Sequence, residues 1–198
     1  MYYDNSILTT FRMHITSHFL AVSLDVSYFA DLLVALQTFC REREIESCLE
    51  LQNPLSLHVT LYYLPEALSA DDLAAIRSSL VTFSTPQVFI SGVSFFQRDG
   101  QDYLCYLAPR PNNQLDQVNQ YFRTHYPNQV EKNNYGYVPH MTLFTVKDPV
   151  RFTPHADQIM LLVREHVQKI RDVDVSRTID IYAVNSAFSP QIQLIVTR

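Results

Sequence analysis

Two short segments of the sequence pair a histidine with a threonine in the same order. The first reads His58-Val59-Thr60-Leu61 and the second, 82 positions later, reads His140-Met141-Thr142-Leu143. Imidazole titrates near neutral pH, so one of two histidines can accept a proton while the other donates one. Threonine hydroxyls can donate hydrogen bonds to anionic oxygens. The two segments therefore predict an acid–base pair flanked by hydroxyl groups.

Both segments have the alternation of a half-buried β-strand. Side chains alternate across a strand, so Leu57, Val59 and Leu61 form an apolar face in the first segment, with Met141 and Leu143 in the equivalent place in the second. The opposite faces are predicted to carry His58, Thr60 and Tyr62 in the first strand and His140, Thr142 and Phe144 in the second. Two such strands related by pseudo-symmetry can direct both imidazoles at one point.

The pair of segments is more informative than either segment alone. A single histidine in a strand is most often a structural residue, and a third match, His14-Ile15-Thr16, is followed by Ser17 and has no counterpart elsewhere. We interpret that third match as a chance occurrence. The other two share the same four-residue pattern, the same kind of strand and the same position after a preceding strand and helix.

The elements that must hold these segments recur in the same order along the chain. In the first part, hydrophobic periodicity and turn residues predict strands at Phe19–Leu24, Leu55–Leu64 and Val88–Phe96, and helices at Tyr28–Ile45 and 69–83. In the second part they predict strands at Tyr103–Ala108, Tyr137–Val146, Thr178–Asn185 and Gln191–Thr197, and helices at Asn113–His125 and His155–Arg171. The pair Asp99-Gly100 predicts a hairpin between two of these strands.

The spacing of the two histidines supports an internal duplication. Leu20 lies 38 positions before His58, and Leu104 lies 36 positions before His140. The pattern predicts an α+β fold of two pseudo-symmetric lobes, each a mostly antiparallel sheet with helices on the outside, and an active cleft between them.

No linker rich in proline, glycine or serine divides the chain. We therefore expect one bilobal domain over residues 1–198, with repeat halves at about 19–97 and 102–197 and an N-terminal extension at 1–17.

Glycine content excludes two common nucleotide-binding loops. The chain has three glycines, and no two of them are closer than eight positions. A Walker P-loop and a Rossmann fingerprint both need closely spaced glycines, so neither is present. The net charge of −5 argues against nonspecific binding of long nucleic acid, although a short nucleotide can still be held by a few local groups.

The cysteines and the apolar runs bear on the cellular setting. Cys40, Cys48 and Cys105 form no C-x-x-C pair and no even disulfide set, which is typical of a reducing compartment. The first eleven residues lack a basic region followed by a long apolar run, and the apolar stretches are too short to span a bilayer. We expect a cytoplasmic monomer without membrane contact.

The two tetrapeptides and their separation resemble the signature of the 2H phosphoesterase superfamily, which includes bacterial RNA 2′,3′-cyclic phosphodiesterases (also called 2′-5′ RNA ligases) and 2′,5′-oligonucleotide phosphodiesterases. The resemblance extends over about Phe19 to Thr197. Bacterial cyclic phosphodiesterases commonly have Phe-Leu-Gly after the first motif and Ala-Arg after the second, whereas this chain has Tyr62-Tyr63-Leu64-Pro65 and Phe144-Thr145. The arginine is missing, and Lys147 or Arg151 is either its substitute or a solvated surface charge.

The resemblance implies a metal-independent phosphodiesterase without a cofactor, acting on a small nucleotide or RNA end. His58 and His140 would be the catalytic acid and base, and Thr60 and Thr142 would bind the phosphate. Hydrolysis of a 2′,3′-cyclic phosphate is the first expectation; a 2′,5′-linked oligonucleotide phosphodiesterase or RNA ligase is the alternative within the family. A non-catalytic RNA- or nucleotide-binding module is the alternative from another class.

Aromatic residues near the motifs are candidates for contact with a base. Tyr62, Phe144 and Tyr182 are predicted to stack a nucleobase, with packing in the core or at the rim as the alternative for each. The segment Tyr135-Gly136-Tyr137 is a candidate lip of the cleft or an ordinary loop.

Two other classes of site have little support. No histidine spacing typical of a metal site occurs, and no cysteine accompanies the pair. The chain also has no G-x-S-x-G segment, and Cys105 lies inside a predicted strand, so a serine or cysteine hydrolase is not indicated.

Overall fold

A computed structural model of the protein describes residues 15–65, 68–127, 136–185 and 195–196. Across these residues the chain forms two antiparallel β-sheets and a set of α-helices, which confirms the α+β, two-lobe prediction. The strands are β1 (Ile15–Leu24), β2 (Leu49–Leu51), β3 (His58–Tyr63), β4 (Ile90–Arg98), β5 (Gln101–Pro109), β6 (Met141–Val146), β7 (Ser176–Asn185) and β8 (Ile195–Val196). The helices are α1 (Ala30–Glu42), α2 (Ala70–Leu80), α3 (Asn113–His125), α4 (Pro149–Phe152) and α5 (Ala156–Ile170).

The strand order shows how the lobes are assembled. The first sheet has the order β3-β1-β7-β8 and the second has the order β2-β6-β5-β4. Strands from the end of the chain thus complete the first sheet, while β2 and β4, which lie in the first sequence half, join the second. Three strands of one sheet, β3-β1-β7, match three of the other, β6-β5-β4. The pseudo-symmetry is therefore present in the sheets, but the sheets do not coincide with the sequence halves.

Local sequence signals explain several element boundaries. Ser69 caps α2: its hydroxyl oxygen accepts from the Asp72 N–H, and the Asp72 carboxylate accepts from the Ser69 N–H, so both N–H groups at the start of the helix have partners. Asp99 and Gly100 both have positive φ, at 53° and 77°, and they connect β4 to β5 where Arg98 pairs with Gln101. The predicted hairpin is confirmed, since these dihedral signs are those of a tight turn that matches strand twist.

Two strands of the site start later than the sequence predicts. Residues 54–56 form a turn of 3₁₀-helix after Asn53, whose side chain accepts from the Leu55 N–H, so β3 begins only at His58. Similarly, β6 begins at Met141 because Pro139, just before the motif, has no N–H to contribute to a ladder. Both histidines therefore stand at the point where a loop enters a strand.

One apolar core joins the two sheets and the helices that cover them. Leu20 and Val59 of the first sheet belong to the same buried cluster as Leu107 and Leu143 of the second. Helix α2 contacts β7, α3 contacts β3 and α5 contacts β4. Within the described residues, no helix has the length and apolar character that crossing a membrane requires.

Some predicted features lie outside the described residues. These are His14 of the third histidine match, Tyr135 of the candidate lip, most of the predicted strand at 191–197 and residues 1–14 of the predicted extension. Residues 15–17, also assigned to that extension, form the start of β1 instead.

Candidate active site

The two histidine motifs meet where β3 of the first sheet approaches β6 of the second. A cleft of about 340 Å³ opens between these strands, and His58, Thr60, His140 and Thr142 all line it. All four side chains are half-buried. The other walls include Glu50, Gln52, Asn53, Tyr63, Tyr103 and Lys147. The fold thus brings together the four residues that the sequence singles out for chemistry.

Each histidine is held by the same kind of hydrogen bond. His58 Nδ1 lies 2.6 Å from the carbonyl oxygen of Ser56, and His140 Nδ1 lies 2.8 Å from the carbonyl oxygen of Val138. A carbonyl oxygen only accepts, so Nδ1 carries the proton in both rings. In a neutral ring Nε2 then has a free lone pair, and it is the nitrogen that a substrate in the cleft can use.

An aromatic pair supports each imidazole from the neighbouring strands. The His58 ring lies 5.1 Å from Phe19 of β1 and 6.3 Å from Tyr182 of β7. The equivalent strands of the second sheet supply Tyr106 of β5 and Phe96 of β4, at 5.6 Å and 4.9 Å from the ring of His140. The partners in each aromatic pair are themselves stacked. Both imidazoles are therefore held in orientation by a backbone acceptor and by ring packing.

Burial lowers the pKa of both histidines. Desolvation is the main cause in each case, because it disfavours the charged imidazolium. The hydrogen bonds to the carbonyls of Ser56 and Val138 partly offset it, and the charge of His140 lowers the pKa of His58 further. Repulsion between the two rings therefore disfavours the state in which both are protonated.

A β-bulge lies at the fourth position of each motif. In the pairing of β1 with β3, Leu20 faces Tyr62 and Ala21 faces Thr60, which leaves Leu61 as the extra residue. In the pairing of β5 with β6, Cys105 faces Phe144 and Tyr106 faces Thr142, which leaves Leu143 as the extra residue. A bulge shifts the alternation of side chains by one position. The residues after each motif therefore point to the opposite faces from those that simple alternation predicts.

Because of the bulges, the prediction that Tyr62 and Phe144 stack a base is wrong. Tyr62 is 1% exposed and donates its hydroxyl hydrogen bond to the Tyr126 carbonyl oxygen at 2.7 Å. Phe144 is fully buried and packs on Phe95 and Phe152. Both side chains belong to the core.

The residues one position further along line the cleft instead. Tyr63, which is 49% exposed, and Thr145 are the lining residues after the two bulges. The sequence did carry a signal for this, since Leu61-Tyr62 and Leu143-Phe144 place two large apolar residues in succession at equivalent points of both strands.

Tyr182 supports the site from below. It is 4% exposed and stacks on Phe19 at 5.5 Å, in a small buried cluster with Ala21 beneath His58. So little exposure leaves no ring face for a nucleobase, which contradicts the stacking prediction for this residue as well. Burial raises the pKa of its hydroxyl, so the ring stays neutral.

The two candidate cations have different environments. Lys147 lines the cleft and forms an ion pair with Glu50. Arg151 donates to the carbonyl oxygen of Glu44 at 2.6 Å and to Ser47 Oγ at 3.2 Å, and it does not line the cleft. Of the two, Lys147 is therefore the cation that faces the cleft.

Hydrogen bonds next to the motifs join the cleft strands to one another and to the segments beside them. Tyr137, from the predicted lip, donates its hydroxyl to the Thr60 carbonyl oxygen at 3.1 Å. The backbone N–H of Gln52 donates to the Leu143 carbonyl oxygen at 2.9 Å, while the Gln52 side chain donates to Ser56 Oγ at 2.8 Å. The Tyr137–Thr60 and Gln52–Leu143 bonds join segments far apart in the chain, so sequence periodicity gives no indication of them.

The donor atoms near the cleft do not resemble a metal centre. Within the described parts of the chain, no three or more histidine, cysteine, aspartate or glutamate side chains come together in a geometry that could hold a metal ion.

Comparison with known proteins agrees with this architecture. Residues 14–177 match a family model described as the 2′-5′ RNA ligase superfamily. A search of curated protein sequences gave no match.

Among solved structures, the fold is similar to Escherichia coli LigT complexed with 3′-AMP, with a TM-score of 0.55 and 15% identity over 93% of this chain and 96% of that one. The complex of the same protein with NADP+ gives a TM-score of 0.54 and 16% identity over the same shares. A conserved protein of unknown function from Agrobacterium tumefaciens gives a TM-score of 0.55 and 15% identity, over 90% of this chain and 84% of that one. At such identities the similarity establishes a shared fold.

Proposed function

The chain belongs to the 2′-5′ RNA ligase superfamily of 2H phosphoesterases, and we propose that it is a metal-independent phosphodiesterase acting on a small nucleotide or RNA end. The reaction with most support is hydrolysis of a 2′,3′-cyclic phosphate, with His58 and His140 as the acid–base pair. The observation that carries the proposal is the matched pair of imidazoles, each with Nδ1 bonded to a backbone carbonyl and Nε2 left for the cleft.

The reaction needs two proton transfers on opposite sides of phosphorus. The neutral imidazole takes a proton from water at Nε2 while the water oxygen forms a bond to phosphorus in line with the leaving oxygen. The bond from phosphorus to that ribose oxygen breaks, and the protonated imidazole donates its Nε2 proton to the oxygen. One ring ends protonated and the other neutral, so the two histidines exchange states in each turnover.

The threonines supply hydrogen bonds to the phosphate. Thr60 and Thr142 lie two residues after the histidines in the same strands and line the same cleft. Their hydroxyls can donate to the two non-bridging oxygens, which carry the negative charge in the transition state. In this role they take the place of a metal ion or an arginine.

The size of the cleft supports a small ligand. A volume of about 340 Å³ is at the lower end of the range for small-molecule sites. Structures of E. coli LigT were obtained with 3′-AMP, ATP and NADP+. We infer a nucleotide or the end of an RNA as the substrate here.

The shape of the cleft gives the alternative within the family some support. The lining residues continue along β6 beyond Thr142 to Thr145, and then to Lys147 directly after the strand, so a ligand longer than one cyclic nucleotide has a surface to occupy. With a 2′,5′-linked oligonucleotide, the same histidine pair would activate the free ribose 3′-OH for attack on phosphorus.

Asparagine substitutions test the catalytic assignment with little structural change. In His58→Asn and His140→Asn the amide nitrogen can take the place of Nδ1 and keep the bond to the carbonyl, while Nε2 is lost. We expect either change to lower kcat by at least about 10³-fold, and the double variant to lose little more, because acid and base act as a unit. His125→Asn is the matched control, since His125 Nδ1 also bonds a backbone carbonyl, at 2.8 Å, but on the exposed face of α3.

Product analysis with 2′,3′-cyclic AMP and a 2′,5′-linked oligoadenylate separates the alternatives. Hydrolysis of the first to a single 2′- or 3′-phosphate supports the main proposal and assigns the leaving oxygen. Cleavage of the second alone favours the alternative substrate. Wild-type-like turnover in either asparagine variant refutes the histidine pair, and binding without turnover by the wild type indicates the non-catalytic module.

A further inference from the structure

The cleft has a second charged end that the histidine chemistry does not use. Glu50 pairs directly with Thr145 in the register of β2 and β6, and Lys147 follows two positions later, so the two charges form a diagonal cross-strand pair. Among the described residues that line the cleft, Lys147 is the one lysine or arginine and Glu50 is the one carboxylate.

Distance separates this pair from the reacting phosphate. Lys147 lies five positions beyond Thr142 and directly follows the last residue of β6. At the rise of a β-strand this separation is about 15 Å between Cα atoms. A lysine side chain covers less than half of that distance. A phosphate held between His58 and His140 is therefore out of reach of Lys147, whereas a second phosphate on the same ligand is not.

The ion pair is easily exchanged for another partner. The side chains of Lys147 and Glu50 are 46% and 26% exposed, and a half-exposed pair of this kind contributes at most about 1 kcal/mol to stability. Arg151, in contrast, is fixed by the Glu44 carbonyl oxygen and Ser47. A ligand phosphate can replace Glu50 as the partner of Lys147 at little cost to the fold.

We infer that Lys147 and Glu50 form a second phosphate subsite, which selects ligands that carry another phosphate group besides the one held by the histidines. Lys147 binds the additional phosphate, and Glu50 holds the lysine in place and disfavours ligands that cannot displace it. The assignment of the first phosphate rests on the proposed function. The second is either a terminal 5′-phosphate or the phosphate between two nucleotides, which share the same chemistry.

Calorimetric titration tests the subsite without requiring turnover. The probes are 3′-AMP and adenosine 3′,5′-bisphosphate, which differ by one 5′-phosphate, and a 3′-phosphorylated adenosine dinucleotide, which carries an internucleotide phosphate instead. We expect the wild type to bind at least one of the two longer probes about tenfold more tightly than 3′-AMP, as a charge-assisted hydrogen bond provides. Which probe gains affinity identifies the source of the second phosphate.

Variants then assign the gain to the ion pair. In Lys147→Gln the affinity gap between the probes should close, and in Glu50→Gln it should widen roughly threefold, because the competing carboxylate is gone. Lys169→Gln, on the exposed face of α5, removes the same charge at a distance and should leave the gap unchanged.

Several results overturn the inference. These are equal affinity of the wild type for all probes, failure of all probes to bind, and an unchanged gap in Lys147→Gln. If the probes show the gap but the protein does not hydrolyse 2′,3′-cyclic AMP or 2′,5′-linked oligoadenylate, the subsite stands and the proposed function fails. If hydrolysis occurs and the probes show no difference in affinity, the proposed function stands and the second phosphate subsite fails.

Discussion

The bulge at the fourth position of the first motif predicts opposite behaviour for the two tyrosines that follow it. Tyr62 is buried with its hydroxyl bonded to the Tyr126 carbonyl oxygen, whereas Tyr63 is 49% exposed and lines the cleft. The informative changes are Tyr62→Phe, which removes one hydroxyl from the core, and Tyr63→Ala, which removes one ring from the cleft wall.

The expected magnitudes follow from these environments. Loss of a hydrogen bond that leaves a partly buried carbonyl oxygen without its donor costs about 1 to 2 kcal/mol, so Tyr62→Phe should lower Tm by about 2 to 8 °C for a protein of this size. A ring that stacks on a base contributes about 1 to 3 kcal/mol. Because Tyr63 is only half covered, we expect the lower end, which raises KM about fivefold in Tyr63→Ala.

Thermal unfolding and steady-state kinetics on the same samples measure both effects. Tyr62→Phe should move Tm while KM stays near the wild-type value, and Tyr63→Ala should move KM with a smaller change in Tm. If Tyr62→Phe raised KM and Tyr63→Ala left it unchanged, Tyr62 would face the cleft. The strand would then continue without a bulge, and the described register would be refuted.

The remaining predictions concern pH, the Tyr137 hydrogen bond and metal ions. Burial lowers the pKa of both His58 and His140 from 6.5, so the bell-shaped profile of kcat/KM should be centred below pH 6.5. The kcat profile should lie at higher pH, because a bound phosphate favours the imidazolium. A kcat/KM maximum well above pH 6.5 would contradict the assignment of the two histidines. Tyr137→Phe removes the hydroxyl that donates to the Thr60 carbonyl oxygen and should lower the free energy of unfolding by about 1 kcal/mol. We expect Tm to fall by about 2 to 4 °C and the pH profile of activity to stay the same. An unchanged Tm would show that the hydrogen bond contributes nothing to stability. Activity should survive dialysis against EDTA, and loss of activity that Zn²⁺ restores would indicate a metal centre instead.

Much of the fold could be predicted from the sequence because the signals are local. Helix α3 has the predicted bounds, and the Asp99-Gly100 hairpin is formed as expected. The histidines and threonines come together as the duplication predicts, because the same pattern occurs in the same kind of strand twice. In each case the evidence lies within one turn, one helix or one strand.

The features that could not be predicted depend on contacts between distant segments. Strand β2 has three residues, too few for a period to be visible, and it forms because Leu49–Leu51 pairs with β6. The pairing of β7 with β1 in the first sheet likewise joins segments far apart in the chain, so no local sequence signal predicts it. The pairing of Lys147 with Glu50 follows from the register of β2 and β6, so sequence alone left Lys147 and Arg151 equivalent.

The bulges explain why the fourth position of each motif is apolar. Leu61 and Leu143 are the extra residues of their strands, and each is fully buried together with the aromatic residue that follows it. A strand that alternated without interruption would place Tyr62 and Phe144 in the cleft and remove them from the core. The bulge lets each strand present histidine and threonine on one face and then bury two successive large side chains. The apolar residue thus stabilises the shift in register between the part of the strand that lines the cleft and the part that packs in the core. A polar residue there would leave an unpaired polar group in the core.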